Sequence, residues 1–151
     1  VVNGRKNTLK AVISERIAVV LDHWYVDSTE ERKKLIETAD TWKADIEDVK
    51  DHLERTSEVW DRATNFIESN KIKTLRVDYE DFYVDTDLKM RLEKVKSIIK
   101  WLGYDFDSEH IGAIKHLLSK DRKVSTKDLY LLIENIEEIN DRFGPEYGYL
   151  F

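Results

Sequence analysis

Ile72-Lys-Thr-Leu-Arg-Val77, then Asp78-Tyr79-Glu80-Asp81-Phe82, then a periodic apolar run closing on Trp101-Leu102-Gly103, reads as a strand, an acidic corner and a helix in direct succession. Leu88, Leu92, Val95, Ile98, Ile99 and Leu102 recur at helical spacing. Gly103 supplies the left-handed residue that stops the helix. A strand that delivers a Tyr-Glu-Asp corner at its C-terminal end and turns straight into a helix has the geometry of a ligand-side edge in an open α/β sheet, because ligands collect where strands end.

Upstream, Val1-Val2 is strand-like and Asn3-Gly4 turns the chain into a helix from Thr8 to Tyr25, carried by Leu9, Val12, Ile13, Ile17, Val20, Leu21 and Trp24. Between Asp27 and Trp42, Ser28 with Glu31 forms a capping box for a short charged helix inside a connecting excursion. Asp45 to Asn70 is the clearest helix. Its stripe of Ile46, Val49, Leu53, Trp60, Ala63, Phe66 and Ile67 is expected to pack on something flat and apolar, with Asp51/Arg55 and Glu58/Arg62 paired outside. The two strands are expected as parallel neighbours. Two strands are too few for a stable sheet, so the helices or a segment preceding Val1 must supply the rest.

Downstream, Ser108 is expected to cap a short helix bearing Ile111, Ile114, Leu117 and Leu118, and Ser119-Lys-Asp-Arg-Lys123 is a basic loop. Ser125 caps a last helix with Leu129, Leu132, Ile133, Ile136, Ile139 and Phe143, ended by Gly144-Pro145. Tyr147, Tyr149, Leu150 and Phe151 form an apolar tail that packs back. The expected fold is helix-rich α/β, with about two strands and about five or six helices over residues 1–151, a single or partial domain.

The composition, 151 residues at 41% apolar and 37% charged, suits a globular domain with a real core. A net charge of -6, with Lys and Arg dispersed among acids, disfavours nucleic acid as a broad partner. The absence of cysteine excludes disulfides, thiolate catalysis and Cys-ligated zinc. The longest apolar run, Ile17-Ala-Val-Val-Leu21, is far short of a bilayer span, and a soluble, cytoplasmic protein is expected.

Gly4-Arg-Lys-Asn7 sets two cations at a strand end before a helix whose second turn presents Ser14, donors that together suit a phosphate. A solvated basic turn and a surface serine account for the same residues. Likewise Asp81, or Asp85 before Thr86, serves equally as a helix cap, and Tyr79 as a core aromatic with a wet hydroxyl. The acids Asp78, Glu80, Asp81, Asp85 and Asp87 do not make a calcium loop, since Tyr83 and Lys89 stand where the turn glycine and closing glutamate belong. His23, His52, His110 and His116 have no metal-ligand spacing, and no phosphate-loop, nucleophile-elbow or dinucleotide motif is present.

Three segments in order nevertheless resemble the sulfotransferases that use 3′-phosphoadenylyl sulfate, in particular bacterial and carbohydrate-type members. Arg5 to Ser14 resembles the segment whose Arg-Asn turn and helix serine grip the donor 3′-phosphate. Leu75-Arg-Val-Asp-Tyr-Glu-Asp-Phe82 with Ile98-Ile-Lys-Trp-Leu-Gly103 resembles the family's strand, Tyr-Glu-Asp-Leu corner and Phe-Leu-Gly helix ending. Leu132-Ile-Glu-Asn-Ile-Glu-Glu-Ile139 resembles a C-terminal Ile-x-Asn-x-x-Glu segment.

The resemblance implies the C-terminal part of a P-loop-like parallel-sheet fold, with Ser14 receiving the 3′-phosphate beside Arg5 or Lys6. Counting back from Ser14 lands on Lys6 where the family has arginine, and lysine offers a point charge in place of a fork. Tyr79 would lie near the nucleotide, Glu80 and Asp81 would organise the corner through backbone hydrogen bonds, and Lys120 to Lys123 would add phosphate contacts. The implied reaction moves a sulfuryl group to a hydroxyl or amine of a carbohydrate or small molecule, without metal. The family's phosphosulfate loop and general base have no counterpart here and are expected in a segment preceding Val1, so this chain alone should not catalyse. The competing expectation is a non-catalytic helical module that packs on a partner chain.

Overall fold

The two strands are parallel neighbours. In the computed structural model, which describes residues 1–24, 28–83, 87–118 and 127–151, β1 (Val2–Gly4) pairs with β2 (Arg76–Asp78) in the register Val2 to Arg76, Asn3 to Val77 and Gly4 to Asp78. The described residues hold eight α-helices beside this pair. The general class is therefore helix-rich α/β. The chain divides into two compact units, Val1–Lys6 with Ile72–Lys120, and Asn7–Lys71 with Asp121–Phe151.

The first unit contains the strand pair, α4 (Glu80–Tyr83), α5 (Leu88–Trp101), a 3-10 turn at Ser108–His110 and α6 (Ile111–Leu117). The second strand is shorter than its sequence suggested. Ile72 to Thr74 lie outside the ladder because β1 is only three residues long, and Leu75 O closes it by accepting Val2 N–H at 2.8 Å. Asp87 caps α5 by accepting Met90 N–H, while Asp85 and Thr86 lie outside the described residues. Gly103 follows α5 at φ +87°, as expected of a left-handed stop. Ser108 sits inside the 3-10 turn, and Asp107 is the residue that accepts Glu109 N–H, at 2.8 Å. Arg91 is buried and donates Nη1–H to Leu118 O at 2.6 Å, which satisfies a carbonyl at the end of α6 where a cation is favoured.

The second unit contains α1 (Thr8–Leu21), α2 (Thr29–Thr38), α3 (Ile46–Ser69), α7 (Lys127–Tyr130) and α8 (Ile136–Tyr147). Its core is built from Leu9, Val12, Ile13 and Ile17 of α1, Val49 and Leu53 of α3, and Leu129, Ile133, Ile139 and Leu150 from the C-terminal part. Asn7 caps α1, Ser28 caps α2 through Glu31 N–H as a capping box requires, and Asp45 caps α3. The first helix stops at Leu21, earlier than Tyr25, because Asp22 adopts φ 53° and turns its N–H back to the helix.

Two further expectations need correction. Only Val49 and Leu53 of the α3 stripe are buried, while Phe66 is 62% exposed. A 24-residue helix runs about 36 Å against about 21 Å for the 14 residues of α1, so its second half outruns the helix it packs on. The side chains of Arg55 and Arg62 turn to the backbone carbonyls of Asp51 and Glu58, through Nε–H.

The last helix is not continuous, and it does not end at Gly144-Pro145. Trp42 N–H donates to Leu132 O and Glu134 N–H to Trp42 O, both at 2.9 Å, so Ile133 forms a parallel bridge with Trp42 that separates α7 from α8. Asn135 is buried and clamps Ala44 from both sides, accepting its N–H at 2.9 Å and donating to its O at 3.0 Å. α8 then continues through Pro145 to Tyr147. Proline disfavours a helical residue before it mainly through that residue's Cβ and N–H, and Gly144 has no Cβ. The tail packs back through Leu150, which is buried and donates its N–H to Asn140 Oδ1.

Candidate functional site

Parallel pairing in this register ends both strands together, so the Gly4-Arg5-Lys6 turn and the Tyr79-Glu80-Asp81 corner leave the same edge of the sheet. Tyr79 N–H extends the pairing by one bond, donating to Gly4 O at 2.9 Å. The corner then holds the turn. Glu80 Oε2 accepts Lys6 N–H at 2.9 Å, and Asp81 Oδ1 accepts the Lys6 ammonium at 3.1 Å. Asp81 Oδ2 takes Asp78 N–H at 3.3 Å and lies 3.6 Å from Lys94 Nζ. Asp78, buried, accepts from Arg76 Nε at 2.9 Å.

These contacts set the charge state of the edge. The hydrogen bond from Lys6, with help from Asp78 N–H and the Lys94 charge, holds the Asp81 carboxyl below the ordinary aspartate value. The same hydrogen bond to Asp81, reinforced by its charge, raises the Lys6 ammonium. Both groups are ionised at neutral pH, and an anion approaching Lys6 must share it with a carboxylate.

Arg5 is placed differently. Its guanidinium carbon lies 4.2 Å above the centre of the Tyr79 ring, a cation–π contact. Arg5, Lys6 and Tyr79 are thus brought together at one strand edge.

Ser14 belongs to the other unit, in the second turn of α1, where its Oγ–H donates to Lys10 O at 2.6 Å. A hydroxyl has one proton, so Ser14 donates to a phosphate only by swinging away from that carbonyl. Upstream, Asn7 accepts Lys10 N–H at 2.8 Å and donates to Tyr149 O at 2.8 Å. The basic loop at 119–123 lies outside the described residues.

Lys94 was not singled out by sequence, since one lysine among several on a charged helix carries no motif. The sequence marks Asn135 only as the asparagine of the segment resembling Ile-x-Asn-x-x-Glu, and its clamp on Ala44 depends on a bridge between distant residues that neither motif nor periodicity encodes. Among the described residues, no group of three or more acidic or imidazole side chains is placed to hold a metal ion, and no helix is long and apolar enough to cross a membrane.

No protein-family model, curated protein or solved structure matches the chain.

Proposed function

We propose that this chain is the donor-binding C-terminal part of a sulfotransferase, and that the edge carrying Arg5, Lys6 and Tyr79 recognises the 3′-phosphoadenosine end of 3′-phosphoadenylyl sulfate. The observation that carries the proposal is the in-register parallel pairing of β1 with β2, which brings the Arg5-Lys6 turn and the Tyr79 corner to the carboxyl end of adjacent strands. Within it, Arg5 is the phosphate ligand, because its planar fork suits two phosphate oxygens. Lys6 holds the turn to the corner. Sulfuryl transfer to a carbohydrate or small-molecule acceptor requires cations on the departing phosphate and a base for the acceptor, for which these residues offer no match, so the part assigned to this chain is binding.

Calorimetric titration with adenosine 3′,5′-bisphosphate tests the proposal. Saturable binding is expected, weakened about tenfold to a hundredfold by Arg5→Ala, as for loss of a charged hydrogen-bond donor. Absence of binding, or equal binding by Arg5→Ala, overturns it.

A further inference from the structure

Asn3-Gly4 is the one place, among six asparagines, where glycine follows; Asn7, Asn65, Asn70, Asn135 and Asn140 precede threonine, phenylalanine, lysine, isoleucine and aspartate. The difference is chemical. The side-chain amide carbon of an asparagine is open to attack by the main-chain nitrogen of the next residue, which closes a cyclic imide, and only glycine places no Cβ in the way and restricts the backbone so little.

The structure sets Asn3 apart a second time. Asn3 is exposed, and its side chain makes no hydrogen bond among the described residues. By contrast Asn7 is held between Lys10 N–H and Tyr149 O, Asn70 donates to Phe66 O, Asn135 clamps Ala44, and Asn140 accepts Leu150 N–H. Asn65 lies inside α3, whose hydrogen-bonded backbone must unwind before the imide can close. What protects Asn3 is the strand pair. Val2 N–H and Gly4 O bond across to β2 at 2.8 and 2.9 Å, and a strand residue directs its N–H and C=O to the same side, so Gly4 N–H also faces β2. The nitrogen that must attack is therefore held in the ladder. With β1 three residues long and the sheet two strands wide among the described residues, that protection is local and weak.

We propose that Asn3 is a site of spontaneous deamidation, gated by the pairing of β1 with β2. When the pair opens, solvent base takes the Gly4 N–H proton, the nitrogen bonds to the side-chain carbonyl carbon of Asn3, and the C–N bond of the side-chain amide breaks to release ammonia, which takes up a proton from water. Water then opens the imide at either carbonyl carbon and leaves aspartate or isoaspartate. Water is the co-reactant, and no oxidation or reduction occurs. Both products place a new carboxylate on the strand that leads into Arg5 and Lys6. Isoaspartate also inserts a methylene into the main chain, so the original register with β2 is lost. The reaction takes no ligand, and it stands or falls apart from the nucleotide reading.

The experiment holds the whole chain at mildly alkaline pH and moderate temperature and follows aspartate plus isoaspartate at every asparagine by proteolysis and mass spectrometry. Asn3 is expected to convert at least about tenfold faster than any of the other five, through its glycine neighbour. In the same chain unfolded by guanidinium chloride the Asn3 rate should rise about tenfold or more, because pairing no longer withholds Gly4 N–H. Gly4→Ala should slow conversion at Asn3 about tenfold whether or not the variant folds, since the added Cβ obstructs the attack in either state. The inference is overturned if Asn3 converts no faster than Asn7 or Asn65, if unfolding leaves its rate unchanged, or if Gly4→Ala converts as fast in guanidinium chloride as the unfolded wild type.

Discussion

Asp81 ties three parts of the strand edge together, because its two oxygens serve Lys6, Lys94 and the backbone of Asp78 at once. Its ionised form is favoured in the folded chain, so its contribution is present above the ordinary aspartate value of 3.8 and is lost as pH falls through the lower folded value. Lys6 works in the opposite sense: its contribution is present below 10.5 and is lost as pH rises through its raised folded value. Asp81→Asn should cost about 1 kcal/mol at neutral pH, through loss of the carboxylate charge facing Lys6 and Lys94, since asparagine keeps an oxygen for Asp78 N–H and the lysine partners are about half exposed and screened. Urea unfolding at neutral and strongly acidic pH checks this. The difference between the wild type and Asp81→Asn should disappear in acid, and a difference that persists would show that charge plays no part. At this scale the sequence announced the corner but not its use, because Tyr-Glu-Asp carries no record of a lysine reaching in from seventy-odd positions away.

The elements were most legible where local chemistry decides them. The capped start of α2 and the glycine stop after α5 follow from Ser28 and Gly103, and the starts of α1 and α3 from where their apolar spacing begins, although the capping by Asn7 and Asp45 was not read. Legibility failed where tertiary contact overrode local preference. Leu129, Ile133 and Ile136 keep helical spacing, yet the bridge to Trp42 breaks the helix between them, and Gly144-Pro145 reads as a stop although α8 passes through it. The reason for that passage is testable. A Cβ at Gly144 would lie 2.4 Å from Cδ1 of Tyr149, a clash that backs onto the ring itself. Gly144→Ala should therefore destabilise by about 1–3 kcal/mol despite the better helix propensity of alanine. In a Tyr149→Ala background part of that cost should be recovered. Thermal denaturation of the two single variants and the double variant measures the coupling, and strictly additive effects would exclude the contact as the cause.

Over the whole chain, burial is unevenly divided. Among the described residues, every side chain of the main hydrophobic cluster lies in 7–71 or 127–151, whereas the unit made from 1–6 and 72–120 contributes Gly4, Val77, Asp78, Arg91 and Leu118 as buried residues. A two-stranded sheet is marginal by itself, so amides of α5 and α6 should exchange with solvent faster than those of α1 and α8. Hydrogen exchange followed by mass spectrometry gives the answer, and equal protection would mean that the two units open as one. The division was hidden in the sequence because apolar periodicity in α5 is as regular as in α1, and periodicity does not state how much of a stripe finds a partner. The pairing of β1 with β2 carries one more consequence, for synthesis on the ribosome. At ordinary elongation rates the Arg76–Asp78 partner is made roughly four to fifteen seconds after Val2–Gly4, and through that interval the nascent first strand has an unsatisfied edge open to holdase chaperones and to neighbouring nascent chains.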